Sequence, residues 1–353
     1  MMTDATTTRI TRARGVARER LTARRLALTL AGLLLVVVVL LIVAVSIGSE
    51  SVSFSTILKI VFGEVSGRAA EATPEQRVII AEIRLPRALM ATVVGAALAV
   101  AGAAYQALLK NPLADPGILG VSSGAAIGAI AATIFAEALP MSRPVAAFIG
   151  ALITIAFVYA IGQSRQGGSS ERLVLAGVIT SALLSSVVIF LVTTAAGGRQ
   201  RSVMSWLIGD LSGETSLLPL VALLVFAGCA VVYVNARSLN LLMIGEADAL
   251  ALGVEVKRVK LLVYLAASLL TGAAVAVSGA IGFVGLIIPH AVRLVGGSDN
   301  RLVVPASALA GSGFLLLADT VARTVIAPRE LNIGVITALV GAPVFIYLLR
   351  RTS

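Results

Sequence analysis

Charged side chains are scarce in this chain of 353 residues: Asp, Glu, Lys and Arg make up 13% of it, whereas 58% is hydrophobic. A water-soluble domain carries about twice that share of charge. The composition therefore excludes an ordinary soluble protein and predicts an all-α, polytopic integral membrane protein. The run from Leu26 to Ile47 holds 22 residues without a charge. At about 1.5 Å per residue, such a helix crosses a bilayer core of about 30 Å.

Cysteine and histidine are each present once, as Cys229 and His290. One cysteine excludes an intramolecular disulfide, and one histidine gives no multi-histidine metal site. The chain also lacks the GxxxxGK[ST] loop that cradles ATP phosphates, so any coupling to ATP must come from a partner. We predict no catalytic residue, no metal site and no cofactor in this chain. Glu137, Asp319 and Glu330 fall near span ends, which disfavours the alternative class, an ion-coupled secondary transporter.

Basic residues are concentrated in an arm over residues 1–25, where seven arginines accompany the start of the first span. A cleaved signal peptide is the alternative, but the apolar run is longer than a signal core and no A-x-A site follows it. Nucleic acid is not an expected partner, because retention at the cytoplasmic membrane face explains basic residues beside apolar spans. We expect a basic cytoplasmic arm followed by a single transmembrane domain over residues 26–353.

Apolar runs predict about ten transmembrane helices. They lie at about 26–47, 88–109, 117–139, 144–162, 173–196, 215–236, 302–322 and 331–349, with Leu261–Gly297 divided into one full and one short span. With ten spans, both termini are cytoplasmic. The inside segments then carry the whole net charge of +10, and the outside segments are balanced. This distribution follows the positive-inside rule.

A run of small residues occurs twice in the chain. GAALAVAG at Gly95–Gly102 and GAAVAVSG at Gly272–Gly279 agree at six of eight positions. The first copy crosses inward and the second outward, so we predict an inverted internal repeat with halves at about 84–214 and 256–353. Chance similarity between Gly/Ala-rich helices is the alternative. Glycines allow close helix packing in lipid, and the candidates are Gly95, Gly102, Gly120, Gly124, Gly128, Gly272 and Gly279.

The predicted cytoplasmic loop over residues 237–258 contains a short helix candidate, Glu246–Leu252. Acidic residues occupy its first turn and Gly253 follows as a stop. Its apolar residues suit a groove on a partner protein, and an interfacial helix on lipid headgroups is the alternative. These apolar residues are Ala247, Leu250, Ala251 and Val254.

On the opposite side, Arg84 and Arg87 flank Pro86 at the predicted start of the second span. The helix dipole disfavours cations there, so an acidic partner or lipid phosphate is expected to favour them. Arg323 lies near the outer end of the ninth span. Asp319, one turn earlier, predicts an intrahelical ion pair with it.

Several of these segments together resemble the FecCD-type permease family of ABC importers for iron-siderophore, haem or cobalamin. They are RLPRALMATVVGAALAVAGAAYQALLKNP, GEADALALGV, SGAIGFVGLIIPHAVRLVGGSDNR and LLLADTVAR. The resemblance implies a cytoplasmic (inner) membrane protein of ten spans that pairs with a second permease subunit, identical or paralogous. It also implies two ATP-binding subunits, which carry the ATP and Mg, and an extracytoplasmic substrate-binding protein.

The resemblance also implies roles for particular residues. The ATPase-coupling residues are Glu246, Ala247, Asp248, Leu250, Leu252, Gly253 and Val254, and the residues that dock the binding protein are Arg84, Arg87 and Arg323. An iron(III)-siderophore complex is the expected cargo by family frequency, and cobalamin and haem are the alternatives.

Overall fold

The computed structural model describes residues 21–48, 57, 60, 73–135, 141–162, 170–194, 198–213, 215–327 and 329–352. Most of the basic arm, to residue 20, and Glu137 lie outside these residues. The described chain is helical and without strands. Its helices are α1 Ala23–Ser46, α2 Pro74–Leu108, α3 Val121–Ile134, α4 Arg143–Gly162, α5 Ser170–Thr194, α6 Gly198–Leu207, α7 Leu218–Val234, α8 Ala236–Ile244, α9 Glu246–Ala251, α10 Val256–Ser278, α11 Val284–Gly296, α12 Asn300–Thr324 and α13 Ile333–Thr352.

The all-α, polytopic fold is confirmed. Within the described ranges, seven helices are long and apolar enough to cross a membrane, and α3, α11 and the first part of α13 are shorter apolar helices. Together these ten correspond in position to the ten predicted spans. The apolar stretch from Leu261 to Gly297 is divided as predicted, because α10 ends at Ser278 and α11 begins at Val284. The third span is shorter than predicted, because a 3₁₀ turn at Pro116–Leu119 precedes α3.

Three helices form the centre of the bundle. The apolar windows of α2 and α10 are 78% buried and that of α12 is 67% buried, whereas those of α1 and α5 are 17% buried. The central helices are rich in Gly, Ala and Ser, which let backbones approach closely. The outer helices present Leu, Ile, Val and Phe side chains to the surroundings. Small residues are therefore concentrated in the central helices, while many of the large apolar side chains of the outer helices are exposed at the surface of the bundle.

Contacts between the central helices give their relative directions. Arg87 of α2 bonds to Asp319 of α12, and further along α2 the carbonyl of Thr92 accepts from Ser312. The numbers rise along α2 and fall along α12, so these helices are antiparallel. The second copy of the repeat, in α10, also runs against the first copy. Tyr105, near the end of α2, stacks edge-on against a tyrosine in the first half of α10.

Both copies of the repeated segment make close contacts across the bundle. A Cβ placed on Gly95 would collide with the backbone carbonyl of Gly311, in α12 of the second half. A Cβ placed on Gly272 would lie 3.2 Å from the Cβ of Ala151, in α4 of the first half. Each copy thus packs closely against a helix of the other predicted half, and the inverted repeat itself stays a prediction.

The remaining candidate glycines divide into packing positions and helix ends. Gly95 faces the backbone of α12, and Gly102, about two turns further along the same side of α2, faces the backbone of α11. Gly124 and Gly128 pack against α4. Gly120 has φ of +75° and precedes α3, and Gly279 has φ of +66° and ends α10. The positive φ explains Gly120, whereas Gly279 combines a positive φ with close packing, because a Cβ there would collide with the backbone carbonyl of Trp206.

Candidate functional site

Two short helices connect α7 to α10. The sequence predicts one helix in this loop, whereas the structure contains α8 and α9 with extended backbone at Gly245 between them. The helix α8 was missed, although its buried Leu239 and Leu242 show the spacing of one helix face. The second helix, α9, begins at Glu246 as predicted. It ends just before Gly253, where φ is +81°.

An apolar surface projects from these two helices. Leu250 is 60% exposed, Leu252 is 65% exposed and Ile244 is 72% exposed. Ala247, Ala251 and Gly253 are also exposed, whereas Val254 is half-buried. Ile244, Ala247, Leu250, Ala251 and Leu252 are called the coupling surface below. Contiguous exposed apolar side chains outside the membrane-spanning helices are typical of a protein contact.

The coupling surface is held on the bundle by both apolar and polar contacts. Ala249 is fully buried beneath it. Glu246, at the start of α9, accepts a hydrogen bond from Lys260 Nζ at 2.5 Å. Asp248 is exposed in the same first turn, where the helix dipole favours a carboxylate. These contacts fix the short helix in place while its apolar side chains remain available.

A polar network joins α8 to the turn between α11 and α12. Asn240 Nδ2 donates to Asp299 Oδ1 at 2.8 Å, and Asn240 Oδ1 accepts from the backbone N–H of Asn300 at 2.8 Å. Asp299 also pairs with Arg301 at 2.6 Å. Hydrogen bonds from Arg301 lower the pKa of Asp299 from its ordinary value of 3.8 to about 2. The carboxylate is therefore ionised throughout the physiological pH range.

Arginines cluster at the opposite end of the bundle. Arg87 Nε donates to Asp319 Oδ1 at 2.9 Å, and Arg87 Nη1 donates to Glu330 Oε2 at 2.6 Å. Arg323 Nε donates to Asp319 Oδ2 at 3.0 Å, which is the expected intrahelical pair. Asp319 is 1% exposed and lies between the two guanidinium groups. Its burial is offset by two charge-assisted hydrogen bonds.

The cluster also closes the end of α1. Arg84 Nη1 donates to the carbonyl oxygens of Val45 and Ser46 at 3.2 and 3.3 Å. Arg323 Nη2 donates to the carbonyl of Ala44 at 2.8 Å. The last carbonyls of a helix have no partner within the helix, and cations there also suit its dipole. The two arginines thus cap α1.

The three arginines predicted to dock a binding protein are turned inward in this subunit. Arg84 is 5% exposed, and Arg87 and Arg323 are each 8% exposed. Their guanidinium groups bond to carboxylates and carbonyls of the same chain. Docking therefore stays a prediction, and it requires a partner to approach groups that already have internal contacts.

The predicted helix start at Pro86 is wrong. The helix α2 begins at Pro74, where Thr73 and Gln76 form a capping box. A π-helical stretch, Val78–Arg84, then leads into the α-helix that contains Pro86. A proline lacks the N–H of the regular ladder, and a wider π turn accommodates that break. The prediction relied on the preference of proline for the first turn of a helix. Here Pro86 lies inside a longer helix, because the residues before it are already helical.

Gln106 is a buried polar residue that the sequence analysis missed. It is 2% exposed, and its Nε2 donates to the carbonyls of Gly285 and Leu286 at 3.4 and 3.1 Å. Pro289 cannot donate to the carbonyl four residues earlier, which is that of Gly285. Gln106 therefore satisfies an acceptor that the proline leaves unpaired. The sequence feature that could have indicated this contact is the proline inside the predicted short span, because it leaves a helix carbonyl in need of another donor.

No cluster of three or more His, Cys, Asp or Glu side chains that could hold a metal ion occurs among the described residues. His290 is half-buried in α11.

The chain matches a protein-family model over most of its length. The FecCD transport family model covers residues 34–351. The chain is 47% identical over 280 residues to the cobalamin import system permease protein BtuC of Halobacterium salinarum, a match that covers 78% of this chain and 74% of that protein. It is 42% identical to the probable siderophore transport system permease protein YfiZ of Bacillus subtilis, over 78% of this chain and 84% of that one.

A solved structure has the same architecture. It is described as an inward-facing conformation of a metal-chelate type ABC transporter, and it matches with a TM-score of 0.79 and 31% sequence identity. The match covers 92% of this chain and 99% of that one. The chain therefore belongs to the FecCD transport family and is a multi-pass permease of the ABC importer type for metal chelates.

Proposed function

We propose that this permease carries an iron(III)-siderophore complex across the cytoplasmic membrane, driven by an ATPase that binds the coupling surface. One observation carries the proposal: apolar side chains at Ile244, Leu250 and Leu252 are more than half exposed on short helices outside the spans. A protein without a phosphate-binding loop has no use for ATP unless a partner holds it. The coupling surface provides the place for that partner.

The wider assembly follows from the same reasoning. A second permease subunit would complete the pathway, because the central helices α10 and α12 both pack closely against α2 in this subunit. An extracytoplasmic binding protein would deliver the cargo. The positive-inside distribution supports cytoplasmic termini and a cytoplasmic coupling surface. ATP and Mg would belong to the ATPase.

The identity of the transported molecule is the most specific part of the proposal. The Bacillus subtilis relative supports a siderophore, whereas the Halobacterium salinarum relative makes a cobalamin the second candidate. Both cargoes are bulky metal chelates, so the described fold suits either. Haem is a further alternative.

The test is uptake by proteoliposomes that contain the permease, its ATPase and its binding protein. Ferrichrome, cyanocobalamin and haemin are offered separately, with ATP or with a non-hydrolysable analogue inside. We expect ATP-dependent uptake of ferrichrome. Uptake of cyanocobalamin or haemin alone would overturn the cargo, and uptake that does not require ATP would overturn the importer class.

A further inference from the structure

The side chain of Asn240 connects two parts of the chain that are far apart in sequence. It donates to Asp299 Oδ1 at 2.8 Å and accepts from both nitrogens of Asn300, at 2.8 Å from the backbone N–H and 2.9 Å from Nδ2. Asn240 lies in α8, directly before the coupling surface. Asp299 and Asn300 lie 59 and 60 positions later, at the start of α12. These three residues are called the turn network.

The turn network extends into the bundle from two half-buried residues, Asn240 and Asp299, to a buried one. Asn300 is fully buried, and its Nδ2 also contacts Met243 Sδ of α8 at 3.4 Å. Its Oδ1 accepts from Arg293 Nη1 of α11 at 3.2 Å. Arg293 Nη2 in turn donates to the carbonyl of Ala103 in α2 at 3.2 Å. A continuous path of hydrogen bonds thus runs from α8, through the start of α12 and α11, to the central helix α2.

The other polar contact of the loop reaches a nearer part of the chain. Lys260, which bonds to Glu246, lies 14 positions away at the start of α10. It therefore fixes α9 to the helix that directly follows the loop. The turn network instead reaches helices from both halves of the repeat. A displacement of α8 would move α11 and α12 with it, because breaking these hydrogen bonds would leave the buried polar groups of Asn300 unpaired.

We propose that Asn240 is a positioning residue for transport: it transmits movement of the ATPase-bound loop to α11, α12 and α2. This inference rests on the proposed function, since it requires an ATPase on the coupling surface. Asn240 itself is not part of that surface. Its loss should therefore leave ATPase binding intact and separate ATP hydrolysis from transport.

The charge on Asp299 provides a sharp test. Asn240→Asp replaces the donor with a carboxylate oxygen facing the Asp299 carboxylate, so the two side chains repel. Adding Asp299→Asn reverses the donor and acceptor and restores the bond, and an asparagine still caps α12. Asn240→Ala removes the bonds without adding a charge. Asn235→Asp is the matched control, because Asn235 donates only to the Val231 carbonyl of its own helix, at 2.8 Å, among its described hydrogen bonds.

Each variant is reconstituted as the complete transporter, and ATPase co-purification, ATP hydrolysis and uptake of ferrichrome, cyanocobalamin and haemin are measured. We expect Asn240→Asp and Asn240→Ala to retain the ATPase and to lower uptake per ATP hydrolysed about tenfold. The reversed pair should recover most of that loss, and Asn235→Asp should match the wild type.

Wild-type uptake per ATP by Asn240→Ala would overturn the inference. So would a reversed pair that transports no better than Asn240→Asp. Loss of ATPase binding in Asn240→Ala would also overturn it, because Asn240 would then be part of the docking contact. Failure of the wild type itself to bind an ATPase would instead overturn the proposed function.

Discussion

Arg87 and Asp319, 232 positions apart in the sequence, form a buried ion pair with 2.9 Å between Arg87 Nε and Asp319 Oδ1. The same carboxylate accepts from Arg323, and Arg87 also bonds to Glu330. Two cations and two anions are therefore grouped at one end of the bundle, where α2, α12 and the segment before α13 meet. The buried carboxylate of Asp319 is paired with two guanidinium groups, which offsets the cost of burying its charge.

Asp319→Asn should destabilise the permease strongly. The substitution leaves Arg87 and Arg323 buried without their shared carboxylate, and removing one partner of a buried pair costs about 3–5 kcal/mol. Glu330→Gln is the control, because the Glu330 side chain is 50% exposed and such pairs contribute about 0–1 kcal/mol. Denaturant unfolding in lipid–detergent micelles measures both. Equal stability of the two variants would contradict the assigned role of Asp319.

Gly95→Ala should destabilise the contact between α2 and α12. The added Cβ would collide with the carbonyl of Gly311, so the helices must separate, and such overpacking costs about 1–3 kcal/mol. Gly32→Ala is the matched control, since a Cβ on Gly32 of α1 meets nothing within 4 Å. Alanine should be neutral there or stabilise the helix by up to about 1 kcal/mol. A thermal unfolding midpoint that falls equally in both variants would disagree with this packing.

Leu250→Glu should weaken binding of the ATPase without unfolding the permease. Leu250 is 60% exposed on the coupling surface, so the change places a charge in the contact but not in the core. We expect affinity to fall about tenfold or more, as for a central interface residue. Leu250→Met keeps the apolar contact and should bind normally. The association constant in detergent is the measurement, and unchanged binding by Leu250→Glu would remove Leu250 from the contact.

Acid should weaken the turn at the start of α12 through Asp299. Its folded-state pKa of about 2 lies below the ordinary 3.8, so the unfolded chain takes up its proton first as the pH falls. The stabilisation is therefore complete above about pH 5 and is lost progressively as the pH falls toward 2. Unfolding measured from pH 6 to pH 3 should show a steeper loss in the wild type than in Asp299→Asn. Parallel curves would contradict the assigned ion pair with Arg301.

The span positions and the short helix α9 could be predicted from the sequence. The length of an apolar run and the charges beside it are local properties. They located the spans, including the two that lie within the single apolar stretch from Leu261 to Gly297. Gly253 marked the end of α9 because a left-handed residue stops a helix wherever it occurs. The prediction failed at Pro86, where a local preference for the first helical turn was overruled by the π-helical stretch before it.

The sequence by itself determined that this is an all-α, polytopic membrane protein and predicted about ten spans with an inverted repeat, because hydrophobic length and charge asymmetry are sums over neighbouring residues. The tertiary structure alone decided which face of each helix packs inward, since lipid and protein interior are equally apolar and hydropathy does not distinguish them. The tertiary structure alone also showed that Arg84, Arg87 and Arg323 point into the protein. Their partners, from Ala44 to Glu330, come from distant segments. The hydrogen bond between Asn240 and Asp299 likewise joins residues that are distant in the sequence, so only the folded structure reveals it.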